Sequence, residues 1–282
     1  MNFWKNLVIK EPNMSKTILI TGATDGIGLE TVKMLASHGH TLLIHGRSEQ
    51  KLGDVKKKLQ QIEGAVTIET YQADLSKISE VEALAKAITD KHERLDVLIN
   101  NAGVYKIPNP IREDGYDLRF IVNTIAPYLL TQRLLPLLHS DGRIINLSSA
   151  AQSPVDLYAF AGKAPLDDQP AYAQSKLAIT MWSFHLAQSL EENGPSVIAV
   201  NPGSLLASKM VKDAYGVEGG DLSIGADILL RAALSDEFAN ASGQYFDNDH
   251  GQFAPPHSDA LDNKKNKKLV RAVEEVLSQI SV

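Results

Sequence analysis

The 282-residue sequence contains no cysteine. That excludes disulfide bonds and thiolate metal sites, and leaves the compartment open. Long apolar runs are also missing: none approaches the ~18 residues a membrane-spanning helix needs. Positive charge is not in excess, because 28 Lys and Arg stand against 34 Asp and Glu for a net charge of −6. A nucleic-acid partner would want a basic face, so none is expected. The eight histidines are scattered, with no HxxxH or HExxH spacing, and no metal is expected. Internal repeats and low-complexity stretches are absent. What remains is 44% hydrophobic and 22% charged residues, the balance of a globular chain with enough length for one α/β domain.

Residues 1–14 read as an N-terminal extension. They carry a short apolar patch (Phe3-Trp4, Leu7-Val8-Ile9) but lack the apolar core and cleavage site of a secretion signal, and a cytoplasmic location is expected. Met14 could serve as an alternative start. Residues 15–282 read as one domain. Short continuous apolar runs at 17–21, 41–46, 65–71, 95–99, 142–148 and 196–201 suit strands covered on both faces. Helical patterns lie between them, near 27–38, 49–62, 77–92, 114–138 and 171–193. Gly39, Gly64 and Gly194 fall just past helices, where a left-handed cap is expected. Repeated strand–helix units imply a doubly wound parallel sheet with helices on both faces. Two long segments, 150–170 and 203–222, break the rhythm. Both follow strands, at the sheet edge where open α/β sheets bind ligands. The tail, 264–281, opens on a lysine run and continues with Leu269, Val273, Val276, Leu277 and Ile280 at helical spacing.

The organising stretch is Thr-Ile-Leu-Ile-Thr-Gly-Ala-Thr-Asp-Gly-Ile-Gly at 17–28. A strand stops at Gly22, and Gly22, Thr24, Gly26, Ile27 and Gly28 lead into a helix. Glycines let backbone N–H groups approach a phosphate, and the helix start directs positive charge at the same place. A Gly-rich turn without ligand is the plainer alternative. At the end of the second strand, Gly46 is followed by Arg47 and Ser48. An NAD enzyme usually puts an acid here for the ribose 2′-OH. A guanidinium instead matches a 2′-phosphate, so NADP(H) is favoured over NAD(H), unless Arg47 is only a surface side chain on a turn. Asp74 and Leu75 end the third strand, where the carboxylate and the next N–H can meet an adenine ring or cap a helix. Asn101, Ala102 and Gly103 end the fourth, with small residues that let the backbone pass a ribose. Pro202-Gly203 ends the sixth. Beyond it, Ser204 and Ser208 both stand within reach of a carboxamide or phosphate.

The fifth strand ends at Ser148-Ser149, and Tyr172-Ala-Gln-Ser-Lys176 follows on a helix. Positions i and i+4 share a helix face. An ammonium there favours the phenolate and moves a tyrosine toward a useful acid–base range. The serine hydroxyl can hold a substrate oxygen. Asn123 is a polar residue in an apolar helix, where a buried amide at a kink is the competing explanation. Leu157, Tyr158, Phe160, Leu205, Leu206, Met210, Val211 and Tyr215 make the two long loops apolar. Either the substrate is hydrophobic or these side chains pack the loops down.

Taken in order, TGATDGIG, NNAG, Asn123, Ser149, YAQSK and NPG resemble the short-chain dehydrogenase/reductase family, single-domain type, over roughly residues 15–250. Arg47, YAQSKLA and Gly-Gln-Tyr-Phe at 243–246 are most similar to its retinol-dehydrogenase-like branch. The resemblance implies a Rossmann-type sheet of about seven parallel strands, the seventh near 243–247. It implies a catalytic tetrad of Asn123, Ser149, Tyr172 and Lys176, with Tyr172 and Lys176 also touching the cofactor. It implies an alcohol dehydrogenase or carbonyl reductase acting on a small hydrophobic alcohol or carbonyl, and a homodimer or homotetramer paired through 114–138 and 171–193. Those helices carry Ile125, Leu129, Leu177, Met181 and Phe184. Two departures are the longer gap between Ser149 and Tyr172, and Ser208 displaced from the family's usual threonine. A non-catalytic dinucleotide-binding regulator is the alternative from another class. A sugar-nucleotide epimerase or dehydratase is disfavoured by the glycine spacing.

Overall fold

Runs of leucine, isoleucine and valine make the centre of the sheet, because strands buried on both faces need apolar residues at every position. The computed structural model describes residues 15–62, 67–190, 193–207, 210–212 and 216–280. Its strands are β1 (Thr17–Ile20), β2 (Thr41–Gly46), β3 (Thr67–Gln72), β4 (Leu95–Asn100), β5 (Leu138–Leu147), β6 (Ser196–Asn201), β7 (Gln244–Asp247) and β8 (Gln252–Ala254). They lie in the order β3-β2-β1-β4-β5-β6-β7-β8. Pairing is parallel through β7, and β8 closes the edge antiparallel to β7. The strand order reverses between β1 and β4, which opens a crevice at their carboxyl ends.

The helices are α1 (Gly26–Ala36), α2 (Glu49–Leu59), α3 (Ile78–Thr89), α4, α5 (Asp168–Leu190), α6 (Leu222–Leu234) and α7 (Asn263–Ile280). Helix α4 runs from Leu118–Phe120 through a π-helical turn, Ile121–Ile125, into Ala126–Leu134. Two apolar cores flank the sheet. On one side α3, α4, α5 and α7 cover Leu19, Leu98, Ile144 and Val197. On the other, α1, α2 and α6 cover Ile18, Ile20, Ile99 and Ile198.

The expected elements are present with shifted bounds. β8 and a short helix, Leu157–Phe160, are additions to them. The helix read over 114–138 begins only at Leu118, because Asp117 caps it through the Arg119 N–H. β5 already starts at Leu138, earlier than expected. Gly39 does adopt positive φ, at 76°. Gly194 does not, and its smallness has a steric reason instead: a Cβ there would lie 2.8 Å from Leu190 Cβ. Gly64 lies outside the described residues, as does the 1–14 extension.

Helix α7 lies against one of the two helices from which pairing is expected. It packs along α5 with Leu269, Val270, Val273 and Val276 buried beneath it. Tyr128 donates to Glu274 (3.1 Å) and Tyr116 to Gln279. Ile125, Leu129, Leu177 and Met181 are at most 4% exposed within one chain, and Phe184 is half-buried. Among the described residues no helix is long and apolar enough to cross a membrane.

Candidate active site

The turn after β1 is shaped by what its glycines permit. Gly22 and Gly26 sit at φ 68° and 53°, where a side chain would be strained. A Cβ on Gly28 would fall 2.3 Å from Gly22 O. The first-turn N–H groups of α1 have no intrahelical acceptor, so this cradle suits a pyrophosphate. Asp25 Oδ1 takes the Gly26 N–H at 2.8 Å. Thr24 lies against Gly46, and the Ile27 side chain meets α6 at Gly225. Asn101 braces the turn: its Nδ2 donates to Thr21 O (2.7 Å) and Gly22 O (3.1 Å). The N–H groups of Asn101 and Ala102 both donate to Thr21 Oγ1.

His45 was not anticipated. It sits on β2, 2% exposed, directly under the turn. Its Nδ1 accepts from Gly22 N (3.2 Å), and its Nε2 lies 3.0 Å from Ala73 O as donor. Burial pushes its pKa down to about 4, so the ring is neutral with its proton on Nε2. The sequence signal was a lone polar residue in the apolar run before Gly46.

Arg47 is exposed at the end of β2, and among the described residues no carboxylate pairs with it. Ser48 caps α2 by accepting from Lys51 N (3.3 Å). Asp74 serves its turn: Oδ1 accepts from Ser76 N (3.0 Å), and its own N–H donates to Glu80. The Leu75 side chain is buried, leaving its backbone for a ligand. Gly203 takes φ 120° and donates to Asn201 Oδ1. Pro202 O accepts from Asn248. Ser204 is engaged by Asp249, through its N–H (2.7 Å) and its hydroxyl (2.6 Å). Ser208 lies outside the described residues.

Asn123, Lys176 and the Tyr172 ring come together at the carboxyl ends of β4 and β5, and Ser149 follows the end of β5. Lys176 is 4% exposed, and its Nζ donates to Leu147 O (2.8 Å) at the end of β5. That Nζ stands 5.7 Å from the Tyr172 ring centroid. Burial lowers its pKa to about 8. A Cβ at Gly103 would lie 3.6 Å from Lys176 Nζ and 3.4 Å from Asn123 Oδ1, which puts the β4 loop against both. Asn123 lies in the π-helical turn, 1% exposed. Its Oδ1 accepts from Val104 N and its Nδ2 donates to Val104 O, both at 2.8 Å, and Nδ2 also donates to Ser175 Oγ. Ser149 is part-exposed two residues beyond Leu147. Its carbonyl accepts from Tyr245 OH and Gln152 Nε2, and its Oγ takes the Ala151 N–H.

Arg119, also unanticipated, anchors the start of α5. It is fully buried, forks onto Asp117 (2.8 and 2.6 Å), and reaches Asp168 (2.5 Å) and Leu166 O (3.1 Å). Helix α5 is thus tied to α4. In the 150–170 and 203–222 loops, Phe160 and Leu206 pack inward, at 1% and 4% exposure. Leu157, Tyr158 and Leu205 stay exposed, Met210 and Val211 are half-buried, and Tyr215 lies outside the described residues. Phe160 and Leu206 thus pack their loops down, while Leu157, Tyr158 and Leu205 are left as exposed apolar side chains. Among the described residues no cluster of three or more histidine or acidic side chains could hold a metal ion.

A family model for short chain dehydrogenase matches residues 16–216. The chain is 32% identical over 260 residues to Retinol dehydrogenase 13 of Homo sapiens, covering 82% of this chain and 76% of that protein. A solved structure of an uncharacterized protein from Mycobacterium Paratuberculosis superposes with a TM-score of 0.76, at 26% identity and 93% coverage of both chains. Landomycin C-6 ketoreductase LanV, solved with bound NADP and rabelomycin, gives 0.66 at 26% identity, covering 84% of this chain and 95% of that one.

Proposed function

The chain belongs to the short chain dehydrogenase family, in its retinol-dehydrogenase-like branch, and from that premise we propose an NADP(H)-dependent oxidoreductase that interconverts a hydrophobic alcohol and its aldehyde or ketone. The observation that carries this reading is the buried Lys176 ammonium, held by Leu147 O beside the Tyr172 ring. A buried cation costs stability, and this one lies where it favours a phenolate. The cradle of Gly22, Gly26 and Gly28 would take the pyrophosphate. Gly103 and the backbone of Leu75 would line the path of the nucleoside, and Arg47 would fork onto a 2′-phosphate. The bound nicotinamide would supply the hydride.

The chain's own residues would handle the proton. In the reducing direction Tyr172 would protonate the substrate oxygen, which Ser149 Oγ would polarise. Lys176 would hold the ribose hydroxyls and keep the phenol acidic. Asn123 Oδ1, which already takes the Val104 N–H, keeps a second lone pair for a water that links Lys176 to solvent. NADP is favoured by the exposed Arg47 and by the NADP bound to the LanV neighbour. A hydrophobic substrate is favoured by the exposed Leu157, Tyr158 and Leu205 and by the retinol in the human relative's name. A cytoplasmic location and a homodimer or homotetramer belong to the same proposal.

The test follows NADPH and NADH oxidation against apolar aldehydes and ketones, with Tyr172→Phe in parallel. The variant should keep its dinucleotide affinity and lose turnover by several orders of magnitude. Near wild-type reduction by Tyr172→Phe would overturn the assignment. Dinucleotide-dependent partner binding with no turnover on any substrate would favour the regulator instead.

A further inference from the structure

The loop after β4 continues beyond Gly103 as Val104-Tyr105. Val104 is clamped at both backbone groups by the Asn123 side chain, with 2.8 Å at each contact. The clamp leaves little freedom to the next residue. Tyr105 is 9% exposed, and its ring centroid lies 4.8 Å from that of Tyr172, with the planes tilted by 58°. That spacing and tilt are those of a favourable aromatic pair. The Tyr172 ring therefore has both the Lys176 cation and a second aromatic ring against it.

A phenol at the end of two rotatable bonds is hard to aim. Proton transfer needs the acid within about 0.5 Å and 10–20° of its productive position. Lys176 acts on Tyr172 by charge, which falls off slowly with angle. A packed ring acts by contact, which does not. We propose that Tyr105 is a positioning residue: its ring fixes the angle of the Tyr172 phenol and closes one flank of the substrate site to water. This rests on the reading of Tyr172 as the proton donor. The role is one of packing, since the Tyr105 ring lies against the Tyr172 ring.

The test compares Tyr105→Ala, Tyr105→Phe and Tyr172→Phe with NADPH and an apolar ketone. In Tyr105→Ala, kcat should fall on the order of 10- to 100-fold, the loss typical of a misplaced reacting group. NADPH affinity by fluorescence titration should stay unchanged. The alkaline limb of the kcat/KM profile, set by the Lys176 ammonium near pH 8, should move to higher pH, as water admitted past the missing ring relieves the burial that depresses that lysine. Tyr105→Phe should restore both kcat and the profile. Wild-type kcat with an unmoved profile in Tyr105→Ala would overturn the inference, as would a Tyr105→Phe variant impaired as much as Tyr105→Ala. If Tyr105→Ala does not fold, Tyr105→Leu takes its place with the same expectations. Turnover retained by Tyr172→Phe would overturn the parent reading and this one together. Turnover lost by Tyr172→Phe but kept by Tyr105→Ala would overturn this one alone.

Discussion

Lys176 combines full burial with a positive charge, and the two pull against each other. Its folded pKa, about 8, lies below the ordinary value near ~10.4. A depressed value means that stability is highest above the unfolded pKa and is lost as pH falls toward the folded one. At neutral pH the charged lysine therefore weakens the fold, a cost that the proposed catalytic role would account for. The ammonium is in place below pH 8 and disappears above it. The carbonyl-reduction rate, kcat/KM, should therefore fall as pH rises through about 8, and a pH profile taken with saturating NADPH checks this. Arg47 makes a separate prediction, because under the proposed function its exposed guanidinium would meet only the cofactor's 2′-phosphate. Replacing it by Asp removes a charge-assisted phosphate contact worth about 1.5–3 kcal/mol. The KM for NADPH should rise about 10- to 100-fold while that for NADH stays level or falls, as steady-state kinetics with both cofactors would show. Both residues were legible from the sequence, since Arg47 follows a strand end and Lys176 shares a helix face with Tyr172.

At the level of elements, the joints between strands matter more than the strands. His45 joins the turn after β1 to the end of β3, because its two ring nitrogens meet Gly22 N and Ala73 O. With a folded pKa near 4, set first by burial, its contribution is whole above about pH 6.5 and drains away as pH falls toward 4. A shift of that size corresponds to roughly 3 kcal/mol. Urea unfolding at pH 7 and pH 5 should show the difference. His45→Leu should be less stable at pH 7, with Gly22 N–H and Ala73 O unmatched, and should lose less between the two pH values than the wild type. The sequence could not reveal this joint, since Gly22 and His45 are brought together only by the β1–β2 crossover. Arg119 was hidden for the same reason: Asp168 is 49 residues away. The strands themselves were readable, because burial on both faces leaves a local apolar record. β8 left none, since three residues on a sheet edge, the outer one exposed, need no such run.

On the scale of the whole molecule, the tail decides what the α4–α5 face can do. The helical spacing of Leu269, Val273 and Val276 made α7 legible as amphipathic, but not where its apolar side would rest. It rests on α5, and covers residues that would otherwise be open to another chain. Each buried Val or Leu contributes about 1.5–3 kcal/mol, enough to hold the helix down. Val273 is fully buried in this seam, and an aspartate there must either desolvate a charge or lift the helix. Lifting is the lower-cost route, because α7 packs on α5 and on short helical segments rather than on a strand. Val273→Asp should lower the melting temperature by about 5–10 °C. It should also make the chain self-associate as concentration rises, as the uncovered apolar face finds another copy. The exposed substitution Lys267→Asp on the same helix should do neither. Sedimentation velocity across a concentration series separates the two variants. Self-association unchanged in Val273→Asp would show that α7 does not keep that face from other chains.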